Sequence, residues 1–240
     1  MVLLEGKDIV KAFGGLTALS NVDFIAQEGE ILGLIGPNGA GKTTLFNVIT
    51  GVYPPTSGTV HFKGEEISSM RPDTISHKGI SRTYQLVRTF QGLTVLENTL
   101  VGRFFGRRGQ TTSDAESMEE VFGLLEFLDI EAKANHLVEN LTMADRKKVE
   151  IARALATHPK LLLLDEVMAG LNPTELERMI EIIREINKRG ITLILIEHQM
   201  RAIMNLSQRI LVLHHGEKIA EGTPHEVAND PAVIQAYLGD

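Results

Sequence analysis

The stretch Gly36 to Thr44, GPNGAGKTT, has the residue types and the spacing that hold a nucleoside triphosphate. It fits the pattern G-x-x-x-x-G-K-[ST], follows the apolar run ILGLI and leads into the helical run TTLFNVIT. Glycines let backbone N–H groups wrap closely around phosphates, and the start of the following helix adds its positive dipole end. The pattern therefore predicts a phosphate cradle made of Gly36, Pro37, Asn38, Gly39, Ala40, Gly41, Lys42, Thr43 and Thr44.

Two residues of this cradle have specific expected roles. Lys42 is placed to reach the β and γ phosphates, and the Thr43 hydroxyl is placed to bind Mg²⁺. The alternative is a glycine-rich turn between a strand and a helix that binds nothing. A chance match to the full pattern with both correct flanks is rare, so nucleotide binding is the favoured interpretation.

Polar side chains that follow two other apolar runs complete the predicted chemistry. LLLLDE delivers Asp165, which could hold Mg²⁺ through water, and Glu166, which would lie near the γ-phosphate. His198 follows LILIE, and Gln85 in SRTYQLV could ligate Mg²⁺ or orient a water molecule. Taken alone, each has a structural alternative: a solvated acid pair, a structural histidine and a polar loop residue.

Length and composition limit the other classes of function. The chain has 240 residues and a net charge of −7, enough for one large domain or a domain with an inserted subdomain. The negative charge opposes a broad contact with nucleic acid or anionic lipid, and the absence of cysteine excludes disulfides and thiolate metal sites. The longest apolar runs are strand-sized, so we expect no segment to cross a membrane unaided.

The pattern along the chain predicts which elements position these residues. Strands and turns dominate the first 35 residues, GTVHFKGEEI adds another strand and turn, and residues 92 to 158 show helical spacing. A helix capped by Asn172 and closing at Gly190 separates LLLLDE from ITLILIE, which makes a βαβ unit.

Two further elements follow from the same patterns. RILVLHHGEKIAEG predicts a hairpin that turns near His215 and Gly216, and TPHEV predicts a short final helix. Within the helical region one apolar stripe is predicted, formed by Met118, Val121, Phe122, Leu125 and Leu128.

Taken together, these motifs resemble the ATP-binding subunits of ABC transporters in their order and spacing. The match includes the cradle, Gln85, a helix that starts near Thr142, LLLLDE, AGLN at 169–172 and His198. It spans essentially the whole chain. More narrowly, AFGGLTALSNVDF, ISRTYQLVRTFQGLTVLENTLVG, AGLNPTE and AEGTPHEVANDPAVIQAYLGD resemble the LivG-type subunits of branched-chain amino acid importers.

The resemblance implies an α/β fold, a P-loop NTPase of the ABC ATPase type. A mostly parallel core sheet and an antiparallel β subdomain would take up 1–85 and 159–240, and an inserted α-helical subdomain 86–158. These parts would form a single domain, 1–240. The implied activity is hydrolysis of ATP with Mg²⁺ to drive uptake of branched-chain or related amino acids through permease subunits.

The resemblance also implies partners and a location. The subunit would dimerise with itself or with a LivF-like ATPase subunit, would not bind nucleic acid, and would be cytoplasmic, peripheral on the inner face of the cell membrane. Two competing functions remain open at this point. One is a soluble ABC-like ATPase of DNA repair or translation, and the other is a regulatory module with low turnover.

The resemblance assigns a role to each matching residue. Phe13 would stack on adenine, although a lone phenylalanine is more often part of a core. Gln85 would bridge Mg²⁺ and the transmembrane partner, Glu166 would be the general base, and His198 would contact the γ-phosphate. Residues 169–172 would form the loop that crosses the dimer interface.

The segment LTMAD stands where the family usually has its signature, LSGGQ, which faces the nucleotide of a partner subunit. Backbone donors survive at Thr142, Met143 and Ala144, but both glycines are absent. Asp145 would repel a triphosphate if it faced one, unless Arg146, Lys147 or Lys148 offsets its charge. A plain helix start is the alternative, with Thr142 as its N-cap and the basic residues as a solvated face.

Three other features depart from the pattern or remain unassigned. Val167 and Met168 replace a proline and a small residue that the family commonly has. Val87, Phe90 and Leu93 could form an apolar groove for a helix of the permease, or could simply pack within the subdomain. RFFGRRG, 103–109, mixes arginine with phenylalanine and would face the permease or solvent.

Overall fold

The computed structural model describes residues 1–106 and 113–238, which form two β-sheets and the helices around them. The smaller sheet is antiparallel, with strand order β2-β1-β4-β5, and consists of β1 (Val2–Phe13), β2 (Leu16–Gln27), β4 (Ser57–Phe62) and β5 (Glu65–Glu66). The larger sheet has the order β10-β9-β3-β8-β7-β6, and consists of β3 (Ile31–Ile35), β6 (Ile80–Arg82), β7 (Leu161–Asp165), β8 (Thr192–Ile196), β9 (Arg209–His214) and β10 (Glu217–Gly222).

Turn chemistry sets the shape of the antiparallel sheet. β1 and β2 form a long hairpin that pairs Phe13 with Leu16 around Gly14 and Gly15. The predicted turn between β4 and β5 contains Gly64, which has a positive φ of 76° that glycine adopts without strain. The hairpin matters for function because it carries Phe13 to one end of the sheet.

The large sheet is parallel except at β10, which runs antiparallel to β9. Every residue of β3, β7 and β8 is buried, which explains why their sequences are apolar on both faces. The four leucines of β7 show the arrangement, because successive side chains in a strand point to opposite faces. Leu161 and Leu163 join the core beneath the antiparallel sheet, whereas Leu162 and Leu164 join the core beneath the helices.

The helices surround the sheets, and three of them lie in the predicted helical region, residues 92–158. Their bounds are α1 (Lys42–Ile49), α2 (Pro72–Lys78), α3 (Val95–Phe105), α4 (Asp114–Phe127), α5 (Met143–Leu155), α6 (Pro173–Lys188), α7 (Met200–Leu206), α8 (Pro224–Ala228) and α9 (Pro231–Leu238). Two short 3-10 turns, Glu131–Lys133 and Val138–Asn140, lie between α4 and α5.

The βαβ unit and its capping are confirmed. Asn172 accepts the backbone N–H of Glu175, whose side chain accepts the N–H of Asn172, so α6 begins with a capping box. The C-terminal hairpin is also confirmed, but the helix at TPHEV is not the last one. α9 follows it, because Pro231 can begin a new helix after the break at Asn229 and Asp230.

The apolar stripe predicted for α4 is wrong at one position, Phe122, which is not buried. Val121 and Leu125 are fully buried where α4 packs against α3 and α5, and Leu128 is buried just beyond the end of α4. Phe122 is 42% exposed, since it lies about 100° around the helix from Val121 and the neighbouring helices cover only one side. Within residues 1–106 and 113–238, no helix is both long enough and apolar enough to cross a membrane.

This difference between the two faces of α4 can be measured. Leu125→Ala should lower the free energy of unfolding by about 2–5 kcal/mol, because it leaves a cavity in the core. Phe122→Ala should cost about 1 kcal/mol or less, because that ring is partly solvated. Urea unfolding of both variants tests this, and equal losses would contradict the burial pattern of α4.

Candidate functional site

The predicted cradle lies between the end of β3 and the start of α1. Gly41 is the N-cap of α1 and has a φ of 102°, and a Cβ at this position would lie 2.7 Å from the Ala18 carbonyl oxygen. A side chain there would therefore be strained and would collide with β2. The glycine keeps the backbone of the loop close to β2 and opens its N–H groups toward the cleft.

Lys42 directs its ammonium group back into this loop. The Nζ atom donates to the carbonyl oxygens of Gly36, at 2.6 Å, and of Pro37, at 3.0 Å. Burial lowers the pKa of Lys42, and the carboxylates of Glu166 and Asp165 partly oppose that effect. The positive charge is therefore held at the position where a phosphate bound in the loop could accept a hydrogen bond.

A cleft of about 420 Å³ brings most of the predicted residues together from distant parts of the chain. Leu16 and Ala18, on β2, were not predicted, since only the pairing of the hairpin places them beside the cradle. The cleft is lined by Phe13, Leu16, Ala18, Asn38, Gly39, Ala40, Gly41, Lys42, Thr43, Thr44, Gln85, Glu166 and His198.

Phe13 lies at one end of this cleft with its ring partly exposed. Its ring meets that of Tyr53 edge to face, with the centroids 5.1 Å apart, and the ammonium group of Lys11 lies 5.0 Å from its centroid. Phe13 is 41% exposed, so it is not a core residue. An aromatic face held in this way can stack on a flat ligand.

Glu166 is held between two other predicted residues. His198 Nε2 lies 3.0 Å from Glu166 Oε1, and Gln85 Nε2 donates to Glu166 Oε2 at 3.1 Å. β6, β7 and β8 are parallel neighbours, so the segments that leave their carboxyl ends meet at one edge of the sheet. The three side chains therefore converge although 113 positions separate the first from the last.

Asp165 is buried and has one carboxylate oxygen left unpaired. Its Oδ2 atom accepts from Arg82 Nη2 at 2.8 Å, and Arg82 Nη1 donates to Asn47 Oδ1 at 2.6 Å. Burial raises the pKa of Asp165, and the hydrogen bond from Arg82 opposes that effect. Oδ1 has no hydrogen-bond partner among the described residues, which marks it as an atom available to a ligand.

The predicted metal ligands fit Mg²⁺ by their chemistry. Thr43, Gln85 and Asp165 offer a hydroxyl, an amide and a carboxylate oxygen, and all three line one cavity beside the cradle. Mg²⁺ is usually held by one or two carboxylates together with water and phosphate oxygens. The described part of the chain contains no cluster of three or more His, Asp or Glu side chains suited to a metal.

The segment Thr142 to Asp145 does not reach this cleft. It begins α5 and faces a separate groove of about 370 Å³, lined by Lys133, Thr142, Ala144, Asp145, Lys148, Leu171, Thr174, Glu175, Arg178 and Met179. Met143 is 54% exposed and does not line this groove. Within one chain, the signature segment and the cradle therefore line separate cavities.

Asp145 is neutralised by a residue that the sequence did not single out. Lys133 Nζ donates to Asp145 Oδ2 at 2.5 Å, and the Thr142 hydroxyl donates to the same oxygen at 2.8 Å. Burial acts to raise the pKa of Asp145, but these two hydrogen bonds, together with the charges of Lys133 and Lys148, hold the pKa below its usual value. Thr142 also caps the helix, since its hydroxyl accepts the Asp145 N–H, so the predicted N-cap is confirmed.

The basic residues after the signature are not a uniform solvated face. Arg146 donates to the Glu139 carbonyl oxygen, whereas Lys147 is only 5% exposed and points into the protein. The expectation of a solvated face is therefore wrong for Lys147. Of the three residues expected to offset Asp145, Lys148 acts on its charge from nearby without a direct hydrogen bond.

Glu197 is a buried carboxyl group that sequence analysis missed. It is 3% exposed, directly before His198, and its Oε1 atom accepts the Met168 N–H at 2.7 Å. Burial raises the pKa of Glu197 to about 7. The hydrogen bond from Met168 and the charge of Lys147 oppose that rise, and the charge of Glu166 adds to it. In the sequence, the only sign of this buried group is that an acidic residue directly follows the apolar run LILI.

Comparison of the sequence with known families gives two matches. The ABC transporter family matches residues 19–169, and the C-terminal residues 217–240 match the branched-chain amino acid ATP-binding cassette transporter family. The chain is also 41% identical to the high-affinity branched-chain amino acid transport ATP-binding protein LivG of Salmonella typhimurium. That alignment covers 99% of this chain and 98% of the relative.

Solved structures agree with this match. The ADP conformation of an ATP-binding cassette of an ABC transporter superposes with a TM-score of 0.90 and 34% identity, over 100% of both chains. A dimeric cassette in a post-hydrolysis state, bound to ADP and Pi, gives a TM-score of 0.84 and 27% identity, over 92% of this chain and 99% of the other. The expected α/β fold of the ABC ATPase type is confirmed.

The raised pKa of Glu197 predicts how stability depends on pH. In the unfolded chain Glu197 ionises near pH 4.5, whereas in the folded protein it holds its proton up to about pH 7. The folded state therefore binds the extra proton in this range, and its stability falls as pH rises from 4.5 to 7, by up to about 3 kcal/mol. Glu197→Gln cannot ionise, so its stability relative to wild type should increase over the same range.

Urea unfolding at pH 5, 6, 7 and 8 measures this difference. Because the comparison is between two variants at each pH, titration of all other groups cancels to first order. A difference that does not change between pH 5 and 8 would show that Glu197 titrates normally.

Proposed function

This chain belongs to the ABC transporter family of ATPases, and we propose that it couples ATP hydrolysis to the import of branched-chain or related amino acids. The observation that carries the proposal is the cleft in which Glu166 lies between Gln85 and His198, beside the phosphate cradle. The substrate class follows from the likeness to the branched-chain amino acid transport protein LivG and from the matching C-terminal segment.

The residues of the cleft divide the work of hydrolysis. We assign the phosphates to the N–H groups of the loop and to Lys42, and the adenine to the ring of Phe13. Mg²⁺, held by Thr43, Gln85 and Asp165, would supply positive charge to the β and γ phosphate oxygens. The unpaired oxygen of Asp165 and the hydroxyl of Thr43 are the groups that support this assignment.

We assign the role of general base to Glu166. Its carboxylate accepts the proton of the attacking water, while Gln85 and His198 fix the two oxygens of that carboxylate. The His198 side chain is 48% exposed at the mouth of the cleft, so it can also contact the γ-phosphate. Holding the base in one orientation before the reaction is what makes proton transfer efficient.

A second cassette is needed to complete the site. The signature segment lines a different groove from the cradle of its own chain, so we propose a head-to-tail dimer in which it meets the partner's nucleotide. The start of α5 provides backbone N–H donors, and the contact from Lys133 offsets the charge of Asp145. The dimeric cassette with ADP and Pi supports this arrangement, and the partner is either a second copy or a LivF-like subunit.

We propose that the helical segment 86–158 acts as a subdomain that contacts the membrane permease. A groove of about 460 Å³ lies on this side, and its lining includes Ile75, Phe90, Val101 and Phe105. Phe90 fits the predicted groove, but Val87 and Leu93 are half-buried and do not line it. Phe105 is 75% exposed, while residues 107–109 of RFFGRRG lie outside the described residues. This contact would hold the subunit on the cytoplasmic face of the membrane.

The base assignment predicts the behaviour of Glu166→Gln. The amide keeps the shape of the side chain but cannot accept a proton, so turnover should fall by about 100-fold or more while ATP still binds. Steady-state ATPase rates and direct ATP binding measure the two effects separately. Normal turnover would remove Glu166 from this role, and loss of binding would indicate a damaged cleft instead.

The pair formed by Lys133 and Asp145 predicts a charge effect on hydrolysis. Lys133→Met leaves Asp145 uncompensated near the partner's triphosphate, and should lower the ATPase rate about 5-fold, equivalent to about 1 kcal/mol. Adding Asp145→Asn to that variant should restore the rate. Lys218→Met, at a similarly exposed lysine paired with Glu221, serves as the control for loss of a positive charge.

The double variant decides the interpretation of this experiment. If Lys133→Met is slow and Asp145→Asn does not restore the rate, Lys133 does not act through the charge of Asp145. If Lys133→Met is as active as wild type, the signature does not need this charge compensation.

A further inference from the structure

The turn from Glu166 to Ala169 has an unusual backbone for a segment that carries the proposed base. Glu166 has a φ of 52°, in the left-handed region that residues other than glycine rarely adopt. Such a conformation persists only where its surroundings fix it strongly. The contacts of this turn show which groups fix it.

Lys147 binds both ends of the turn. Its Nζ atom donates to the Glu166 carbonyl oxygen at 3.1 Å and to the Ala169 carbonyl oxygen at 2.5 Å. The Glu166 N–H donates in turn to the Ile196 carbonyl oxygen at 2.9 Å. The backbone that carries the Glu166 side chain is thus fixed from α5 on one side and from β8 on the other.

Glu197 binds the middle of the same turn. Its Oε1 atom accepts the Met168 N–H at 2.7 Å, and the next residue but one, Gln199, donates to the Met168 carbonyl oxygen at 3.3 Å. The Lys147 side chain binds two acceptors of the turn, and the Glu197 side chain binds one donor. Between them, these two buried side chains contact its first, third and fourth residues.

Burial makes this arrangement costly, which argues against a purely structural role. Lys147 is 5% exposed and Glu197 is 3% exposed, and apolar residues of similar volume usually stabilise an interior as well or better. The surrounding core does use such residues, including Val149, Ile151 and Met168. A buried lysine and a buried carboxyl group at one turn are better explained by the need for a fixed backbone there.

We propose that Lys147 and Glu197 are positioning residues for ATP hydrolysis that hold the 166–169 turn and thereby aim the Glu166 carboxylate at the attacking water. This inference rests on the proposed role of Glu166 as the base. It also gives α5 a second task. The helix that begins at the signature carries, two residues after Asp145, the lysine that holds the base of its own chain.

The first test separates positioning from binding. Lys147→Met keeps the length of the side chain but removes the donors, so kcat should fall about 10- to 100-fold while the Kd for ATP changes less than about 2-fold. Lys147→Arg keeps the positive charge and the donors, and should recover part of the rate. Lys188→Met, on the surface of α6, controls for the loss of a positive charge.

A second control tests whether loss of stability alone could lower kcat. Leu125→Ala leaves a cavity beneath α4 and removes no hydrogen-bond partner of the turn, so it should lower the melting temperature with little change in kcat per folded molecule. If Leu125→Ala and Lys147→Met lower kcat equally at equal loss of stability, the proposal is wrong. Should Lys147→Met fail to fold, Glu197→Ala and Glu197→Gln replace it. The alanine variant loses the acceptor for the Met168 N–H and should be slow, and the glutamine variant keeps it.

A double-variant cycle tests whether the effect passes through Glu166. In the background of Glu166→Gln, Lys147→Met should lower the single-turnover rate little further, because there is no base left to aim. If Lys147→Met lowers the single-turnover rate by the same factor in both backgrounds, the proposal is overturned while Glu166 remains the base. Normal turnover of Glu166→Gln alone would instead overturn the proposed function.

Discussion

The structure depends on one geometric constraint, which is that parallel strands end at the same edge of a sheet. β6, β7 and β8 are adjacent and parallel, so whatever follows each of them must emerge at that edge. The side chains that follow are Gln85, Glu166 and His198, and the cradle follows β3 in the same sheet. The apolar strands therefore determine where the polar cleft forms, because the polar residues that follow them all lie at the same edge of the sheet.

A second property of the protein is the number of ionisable side chains buried in and around the cleft. Lys42, Arg82, Lys147, Asp165 and Glu197 are all largely buried, and each has a hydrogen-bond partner on another segment or in the loop it stabilises. Charges in such places are costly unless they are paired, and removing one partner leaves the other unsatisfied. Several of these side chains form hydrogen bonds with the polar backbone of the turns, which apolar packing could not do.

The signature segment supports the proposed dimer, in which each chain completes the nucleotide site of the other. Its helix start is well formed and its acid is paired with Lys133, yet it faces a different groove from the cradle. The missing glycines thus do not prevent an ordered helix N-terminus. The charge of Asp145, which looked unfavourable for binding a phosphate, is offset within the chain before any partner arrives.

The sequence by itself determined the order of elements, the cradle and the two acids, because these depend on local patterns. Periodicity, glycine spacing and caps were sufficient for β3, α1, β7, α6 and β8. Tertiary structure decided the rest, because Lys133 lies 12 residues from Asp145, Arg82 lies 83 from Asp165, and Lys147 lies 50 from Glu197. The exposure of Phe122 and the burial of Lys147 likewise depend on which neighbouring elements cover them. No local pattern contains that information, since pairing across such distances is set by how the elements pack.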